Sequence, residues 1–192
     1  DKYPLPRIQN LAGSLKGAKI FSKIDILSAY HQIPMEESSK AKTSICTPFG
    51  SYQYKRMPFG LRNSAASFQK LMDSIFAGMP FTWVYVDDLL IFSASSEQHQ
   101  VHLEMVFRRL KEHGLLLNPA KCIFGATEVD FLGFRVDGFG IRPMASNLRV
   151  VDDFESPVDV NGIRRFLGVL NHYQRFIPRA AEILKHLTDA LK

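Results

Sequence analysis

Two adjacent carboxylates, Asp87 and Asp88, interrupt a run of apolar and aromatic residues from Phe81 to Phe92. Two like charges repel each other where these apolar runs meet, and a two-residue hairpin turn favours Asn-Gly or Asp-Gly. A divalent cation would reverse that penalty, because hard oxygen ligands are what Mg²⁺ requires. The pattern therefore leaves two interpretations open, a metal site and a solvated polar turn.

A third carboxylate, Asp25, lies in a short strand-like run of β-branched and aromatic residues, Ala18 to Leu27. The order of elements along the chain places this strand beside the hairpin that carries Asp87 and Asp88. Three carboxylates at neighbouring strand ends form the kind of site that holds two metal ions during phosphoryl transfer. Taken alone, Asp25 is more typical of an ordinary strand end or cap.

The elements that must position these residues alternate between strand-like and helix-like patterns. They are a strand over 18–27, a helix over 64–77, a hairpin over 82–93, a helix over 95–114, strands over 115–117 and 131–136, and a helix over 161–177. Strand, helix, hairpin, helix and strand in this order predict an α+β fold with a ferredoxin-like sheet and helices on one face.

The helical periodicity also predicts the surroundings of several side chains. On the helix over 95–114, Phe107 is assigned to the buried face with its apolar neighbours, whereas His99, His102 and His113 are expected at the surface. The two cysteines, Cys46 and Cys122, are far apart and lack metal-ligand spacing, so they are interpreted as buried thiols in a reducing compartment.

The composition is that of an ordinary globular chain. Of 192 residues, 46% are hydrophobic and 22% are charged, which argues against disorder and coiled coil. No stretch approaches the ~18 uninterrupted apolar residues of a membrane span, and the first residues have no secretory pattern. The net charge of +5 permits a nucleic-acid partner without requiring one. Residues 161–192 hold most of the excess and are the expected electrostatic contact.

Four motifs follow one another along the chain: Phe21–Ile33, Met57–Leu61, Tyr85–Asp88 and Phe131–Phe134. Their order and spacing resemble those of reverse transcriptases, most closely the polymerase of gypsy-type LTR retrotransposons and more distantly the retroviral enzymes. The resemblance covers essentially the whole chain. It implies a ferredoxin-like palm of a right-hand polymerase, with partial fingers and the start of a helical thumb.

The resemblance also divides the chain. Residues 1–32 correspond to the first part of the palm, 33–63 to a fingers segment, 64–144 to the palm with the YVDD hairpin and the primer grip, and 145–192 to a connection and the start of the thumb.

In this family the palm carboxylates are catalytic and hold two Mg²⁺ ions, for which Mn²⁺ can substitute. The resemblance assigns this role to Asp25, Asp87 and Asp88 and makes the backbone carbonyl of Ile26 a further ligand. Asp25 and Asp87 are the principal metal ligands in this assignment, and Asp88 has a supporting role.

Nucleotide binding is implied for Ser28, Ala29, Tyr30, Phe59 and Gly60. Tyr30 stands where the family places an aromatic gate against the sugar 2′-hydroxyl, since a ring under C2′ leaves room for hydrogen but not for OH. Phe59 would pack on the nucleotide, and Gly60 would allow close approach. Without the motif, Tyr30 is more typical of a core aromatic residue.

Template and primer contacts are implied at three places. Arg62 could reach template phosphates, or it could be a solvated residue after a Pro-Gly turn. Leu132, Gly133 and Phe134 belong to the hairpin called the primer grip, although by pattern alone they read as an apolar strand with a close backbone approach at Gly133.

The third place is the last helix. Its polar face suits a duplex minor groove and its phosphates, with a solvated basic face as an equal alternative. That face consists of Arg164, Gly168, His172 and Arg175.

The implied function is RNA-directed and DNA-directed DNA synthesis from a primer 3′-OH, within a retroelement polyprotein. The partners would be an RNA or DNA template with its primer, deoxynucleoside triphosphates, and the upstream fingers, connection, RNase H and integrase domains. No membrane partner is expected, and the location would be the cytoplasm, in a virus-like particle, or the nucleus. Two alternatives are a catalytically inactive or domesticated nucleic-acid-binding remnant, and an RNA-recognition domain of the same topology, which would need exposed aromatic residues on its central strands.

Overall fold

The computed structural model describes residues 3–189 and 191, with the side chain of His172 left out. Nine strands are present in this part of the chain. They are β1 (Ile20–Asp25), β2 (Ile45–Thr47), β3 (Gly50–Tyr52), β4 (Thr82–Tyr85), β5 (Asp88–Ser93), β6 (Ile123–Ala126), β7 (Glu128–Phe131), β8 (Phe134–Asp137) and β9 (Gly140–Pro143).

The helices surround these strands. They are α1 (Ile8–Ser14), α2 (Glu37–Lys40), α3 (Ser64–Ile75), α4 (Ser96–Glu112), α5 (Ala145–Asp152), α6 (Val160–Tyr173) and α7 (Ala180–Asp189). Short 3₁₀ turns occur at Ala29–Gln32, Ala41–Thr43, Pro119–Lys121 and Gln174–Phe176. Within residues 3–189, no helix combines the length and the apolar character needed to cross a bilayer.

The central sheet has the strand order β4-β5-β1-β6, and every neighbouring pair is antiparallel. Because β1, β4, β5 and β6 are the first to fourth strands of the split βαβ pattern, this order is that of a ferredoxin-like sheet. The predicted α+β fold is therefore confirmed. The chain forms two further sheets, one of two strands (β2-β3) and one of three strands (β7-β8-β9).

Alternation along the strands gives the central sheet two buried faces. On one face, Ile24, Leu89 and Ile91 pack against α3 and α4. On the other face, Phe21 and Leu90 pack against α1 and the β7-β8-β9 sheet, in a cluster that also contains Leu11, Leu15, Phe92, Val129, Phe131 and Val136. The sheet is thus fixed between two apolar layers.

The two long helices agree with their predicted extents. In α3, the apolar residues Phe68, Met72 and Ile75 are buried, and Gly78 at φ +81 lies just beyond the helix end. In α4, the Ser95 hydroxyl accepts a hydrogen bond from the Gln98 amide at 3.3 Å, which satisfies one of the free N–H groups at a helix start.

The strand predicted over 131–136 is confirmed for residues 134–136, which lie in β8, but a hairpin turn separates them from Phe131 at the end of β7. Leu132 and Gly133 both have positive φ, +51 and +80, and they join β7 to β8. Two successive residues with positive φ are characteristic of a tight two-residue turn. The strand predicted over 115–117 is wrong, since Leu117 forms only an isolated bridge with Ile26.

The last predicted helix is shorter than expected. It ends at Tyr173, and α7 follows after a 3₁₀ turn. Pro178 explains the break, because a proline disfavours helical geometry in the preceding residue. Ile177 is accordingly extended, with φ −100° and ψ 111°.

Several predicted side-chain environments are wrong. His99 is buried rather than at the surface, with 3% of its area exposed, and Phe107 is exposed at 39%. Cys46 is exposed and Cys122 is partly exposed, so neither is a buried thiol. The burial of His99 is possible because two hydroxyls satisfy its ring nitrogens: Ser22 Oγ and Ser93 Oγ lie 2.6 and 2.8 Å from them.

Candidate active site

The three aspartates of the sequence analysis come together at one end of the central sheet. Asp25 is the last residue of β1, and it lies directly opposite Asp88, the first residue of β5. Cross-strand partners point to the same face, so both carboxylates lie on the side covered by the β7-β8-β9 sheet. Asp87 occupies the turn before β5, and its carbonyl accepts a hydrogen bond from the Ile26 amide at 3.1 Å.

The hairpin turn is centred one residue earlier than the two apolar runs predict. Tyr85 pairs with Asp88, which leaves Val86 and Asp87 as the central residues. Val86 has φ +52, a rare conformation for a β-branched side chain. Residues held in such regions cost about 1–3 kcal/mol each and need support from their surroundings.

Gln69 on α3 supplies that support. Its side chain is fully buried, and Oε1 accepts a hydrogen bond from the Val86 amide at 2.7 Å. Its Nε2 donates to the Val84 carbonyl at 3.1 Å and to Asp73 Oδ1 at 2.9 Å. Gln69 therefore holds the turn that carries Asp87. Gln69 was not predicted from the sequence, because a glutamine in a helix is most often solvated.

The carboxylates differ in their electrostatic surroundings. Burial raises the pKa of Asp87, and its own backbone hydrogen bond opposes the rise. The charges of Asp88 and Asp25 raise that pKa further, whereas Lys121 lowers it. Lys23 Nζ is 3.2 Å from Asp88 Oδ1, and Lys121 Nζ is 3.9 Å from Asp25 Oδ2. Asp87 is nevertheless the most solvent-exposed of the three residues. The repulsion from Asp25 and Asp88 is therefore what a bound cation would offset at Asp87.

A cavity of about 280 Å³ opens beside two of the aspartates. Its lining contains four of the five predicted nucleotide-binding residues and omits Gly60. The lining residues are Asp25, Ile26, Leu27, Ser28, Ala29, Tyr30, Phe59, Asp87, Asn118 and Lys121. Asn118 and Lys121 were not predicted from the sequence. They come from the loop after α4, which is tied to β1 by the Asn118 amide donating to the Asp25 carbonyl at 3.0 Å.

Tyr30 belongs both to the cavity and to the core. Its ring makes edge-on contacts with Phe59 and Phe68, with centroid distances of 5.5 and 5.7 Å. Burial raises the pKa of its hydroxyl, and the nearby Asp87 and Tyr85 raise it further. Phe59 remains 67% exposed, so its ring has a free surface at the mouth of the cavity.

The predicted primer-grip residues lie on the β7-β8 hairpin, outside the lining of the cavity. Phe131 meets Trp83 of β4 edge-on at 5.8 Å, so the two hairpins are in direct contact. The Gly133 carbonyl accepts a hydrogen bond from Asn147 Nδ2 at 3.0 Å, and Phe134 is buried. Arg62, the predicted template contact, is exposed just before α3.

The predicted thumb residues do not all share one helix face. Arg164 and Gly168 are exposed on α6, and the His172 side chain lies outside the described part of the structure. Arg175 follows the end of α6, and its guanidinium lies over the rings of Phe134 and Phe176, 5.0 and 4.4 Å from their centroids. Burial lowers the pKa of Arg175.

The carboxylates beside the cavity determine whether a divalent cation fits there. Within residues 3–189 and 191, no three His, Cys, Asp or Glu side chains converge closely enough to hold an ion. Asp88 is paired with Lys23, which leaves Asp25 and Asp87 at the cavity. Two hard carboxylate oxygens beside an open cavity suit Mg²⁺, which commonly binds through one or two carboxylates and substrate phosphates.

A ferredoxin-like sheet with carboxylates at adjacent strand ends defines the palm class of fold. The family model described as reverse transcriptase (RNA-dependent DNA polymerase) matches residues 1–136, and the chain belongs to this family.

Similar proteins point to retroelements. The chain is 39% identical over its whole length to the Retrovirus-related Pol polyprotein from transposon 297 of Drosophila melanogaster, covering 18% of that protein. It is 34% identical over 99% of its length to the Transposon Tf2-3 polyprotein of Schizosaccharomyces pombe, covering 14% of it. The chain thus spans less than a fifth of the length of these curated relatives.

Solved structures share the fold. A foamy viral protease-reverse transcriptase in complex with double-stranded DNA matches 98% of this chain with a TM-score of 0.86 and 25% identity, over 33% of that chain. The same kind of viral protein in complex with an RNA/DNA hybrid matches 100% of this chain with a TM-score of 0.80 and 25% identity, over 26% of that chain. The resemblance to reverse transcriptases and the palm fold are therefore confirmed.

Proposed function

We propose that this chain is the palm-centred part of a retroelement polymerase that extends a primer 3′-OH on an RNA or DNA template. The observation that carries the proposal is the meeting of Asp25 and Asp87 at a cavity that Tyr30 and Phe59 also line. The proposed division is palm over 1–32 and 64–144, fingers over 33–63, and connection with the start of the thumb over 145–192.

Asp25 and Asp87 would hold the divalent cations, with the Ile26 carbonyl as a further oxygen donor. When bound, Mg²⁺ or Mn²⁺ supplies Lewis-acid activation of the primer oxygen and offsets charge on the triphosphate. The chain's own contribution is positioning: Gln69 and the β1-β5 register fix both carboxylates at the mouth of the cavity. The raised pKa of Asp87 supports this role, since a bound cation would offset the repulsion from Asp88 and Asp25 that contributes to it.

Tyr30 would select the sugar. Its ring is held between Phe59 and Phe68, so it cannot move aside without losing both edge-on contacts. A fixed ring at the cavity wall excludes a 2′-hydroxyl by contact and accepts the 2′-hydrogen of a deoxynucleotide. Phe59, with its exposed ring, would pack on the nucleotide.

The duplex would lie across the β7-β8 hairpin and the exposed face of α6. Leu132, Gly133 and Phe134 would hold the primer, while Arg62 and Arg164 would contact backbone phosphates. The net charge of +5 favours such a partner. The relatives named as Pol polyproteins support further domains of a polyprotein as covalent neighbours.

Primer extension on an RNA template with Mg²⁺ tests the proposal. Asp87→Asn should lower the extension rate about a thousandfold, because it removes the anionic charge at the cavity. Glu104→Gln, a matched change at an exposed position of α4, should leave the rate unchanged. Equal activity of wild type and Asp87→Asn would contradict the assignment. Duplex binding without any extension, both by this chain and by one extended upstream with fingers strands, would favour a non-catalytic remnant.

A further inference from the structure

Lys23 is a cation on the same strand and the same face as Asp25. It stands two residues before Asp25 on β1, and its Nζ lies 3.2 Å from Asp88 Oδ1. Both side chains of this ion pair are only 23% exposed. The pair is thus fixed within the sheet rather than formed between two freely solvated residues.

The surroundings of Lys23 explain why it needs Asp88. Phe21 lies on the same face of β1 as Lys23, and Leu90 is the cross-strand partner of Lys23. Both apolar side chains are fully buried. β1 is also an interior strand, with β5 on one side and β6 on the other. An ammonium group in such a place is costly unless an anion meets it. Asp88 is the anion that does so.

The second lysine of the site behaves differently. Lys121 is 69% exposed, lies 3.9 Å from Asp25 and lines the cavity. Exposed pairs of this kind contribute little to stability and are readily exchanged for another partner. Lys23 and Asp88, by contrast, lie outside the cavity lining. Of the three carboxylates, Asp88 alone is therefore held by a half-buried cation.

We propose that Lys23 is a positioning residue that commits Asp88 to an ion pair and so restricts the divalent-cation site to Asp25 and Asp87. The proposal rests on the proposed function, because it assumes that these two carboxylates bind the cation. The number of charged ligands sets how tightly a hard cation is held. A site with two carboxylates releases its cation more readily than a site with three, as repeated cycles of nucleotide addition require.

The test is direct Mn²⁺ binding to the chain, measured from the electron paramagnetic resonance signal of the free ion. Lys23→Met should tighten Mn²⁺ binding about fivefold, because Asp88 becomes available as a third anionic ligand. Lys23→Arg keeps the ion pair and should bind like the wild type. Lys19→Met, an equal change of charge at an exposed position just before β1, serves as the matched control.

A double-mutant cycle separates this role from simple repulsion between Lys23 and the cation. Asp88→Asn should weaken Mn²⁺ binding less in the wild type, where Asp88 is already paired, than in Lys23→Met, where it should weaken binding about fivefold. Repulsion alone would make the two effects of Asp88→Asn equal, and that result would overturn the proposal. So would a Lys23→Met variant that binds Mn²⁺ like the wild type.

Two further measurements keep the result interpretable. Thermal unfolding should show that Lys23→Met still unfolds in one cooperative transition, at a lower temperature than the wild type because Asp88 loses its partner. Asp87→Asn should weaken Mn²⁺ binding in both backgrounds. Equal Mn²⁺ binding by Asp87→Asn and the wild type would overturn the proposed metal site itself, and the role of Lys23 with it.

Discussion

Single residues determine whether the carboxylates reach the cavity in a usable arrangement. Val86 adopts φ +52 next to Asp87, and Gln69 is the side chain that bonds both the Val86 amide and the Val84 carbonyl. The motif with Asp87 and Asp88 can be found in the sequence because its residue types are unusual between apolar runs. Gln69 could not be found in the same way, since a glutamine in a helix is most often solvated.

Replacement of Gln69 by Leu tests this support. The change leaves the Val86 amide and the Val84 carbonyl buried without their partner, which should cost about 2–4 kcal/mol of unfolding free energy. The rate of primer extension should fall about tenfold or more, because the turn that carries Asp87 loses its anchor. Urea unfolding and single-turnover extension measure the two effects. Gln100→Leu, at an exposed position of α4, is the control, and equal behaviour of the two variants would refute the role of Gln69.

Replacement of Tyr30 distinguishes a role in sugar selection from a role in catalysis. Tyr30→Ala should reduce discrimination against ribonucleotides about a hundredfold, the scale on which an apolar pocket rejects an added hydroxyl. Tyr30→Phe keeps the ring and should retain the discrimination of the wild type. The ratio of ribonucleotide to deoxynucleotide incorporation is the measurement. If Tyr30→Ala discriminated as well as Tyr30→Phe, the ring would have no part in sugar selection.

At the scale of elements, prediction succeeded where periodicity was strong and failed where tertiary contacts decided. The apolar stripe of α3 and the hairpin formed by β4 and β5 could be predicted from the spacing of apolar residues alone. The turn at Leu132 was missed because a leucine with positive φ is not expected from propensity. His99 was placed at the surface because nothing local reveals that Ser22, 77 residues away, meets its ring.

The two hairpins of the site act together through an aromatic contact. Trp83 on β4 meets Phe131 at the end of β7, so a shift of one hairpin is transmitted to the other. Arg175 adds a second connection, since its guanidinium lies over Phe134 on β8. The β4-β5 hairpin, the β7-β8 hairpin and the segment after α6 are therefore linked by direct side-chain contacts.

Gly133 permits a test of the proposed primer contact on the β7-β8 hairpin. It has φ +80, and an added Cβ would lie 3.3 Å from Asn147 Nδ2. Gly133→Ala should cost about 1 kcal/mol of stability and raise the KM for primed template more than it lowers kcat. Gly125→Ala is the matched control, because Gly125 has φ +63 with open space around it. A similar rise in KM for both variants would mean that the effect reports general destabilisation.

At the scale of the whole molecule, a buried polar cluster joins the two central strands to α4 on the side of the sheet opposite the carboxylates. His99 lies between Ser22 and Ser93, and Ser93 Oγ is also 2.8 Å from His102 Nδ1. The Ser22 hydroxyl accepts a further hydrogen bond from the Gly125 amide at 3.0 Å. This bond connects β6 to the cluster. The cluster satisfies all of these polar atoms within the core.

This cluster makes the stability of the fold depend on pH. Burial lowers the pKa of both His99 and His102 below the ordinary value of 6.5. The unfolded chain therefore takes up protons that the folded chain excludes as the pH falls below about 6.5, and this uptake favours unfolding. Above that pH both states hold neutral imidazoles, so the full stability is present. Asp87, whose pKa is raised, acts in the opposite direction.

The unfolding temperature should accordingly stay level from about pH 8 to 7 and fall by several degrees between about pH 6.5 and 5. His99→Gln removes one of the two titrating groups, so it should lower stability at neutral pH and flatten the fall on acidification. His113→Gln, at an exposed position just after α4, should leave the profile unchanged. Scanning calorimetry across this range measures both the level and the slope. A His99→Gln profile parallel to that of the wild type would show that another group governs the acid response, because loss of a hydrogen bond alone shifts the curve without changing its slope.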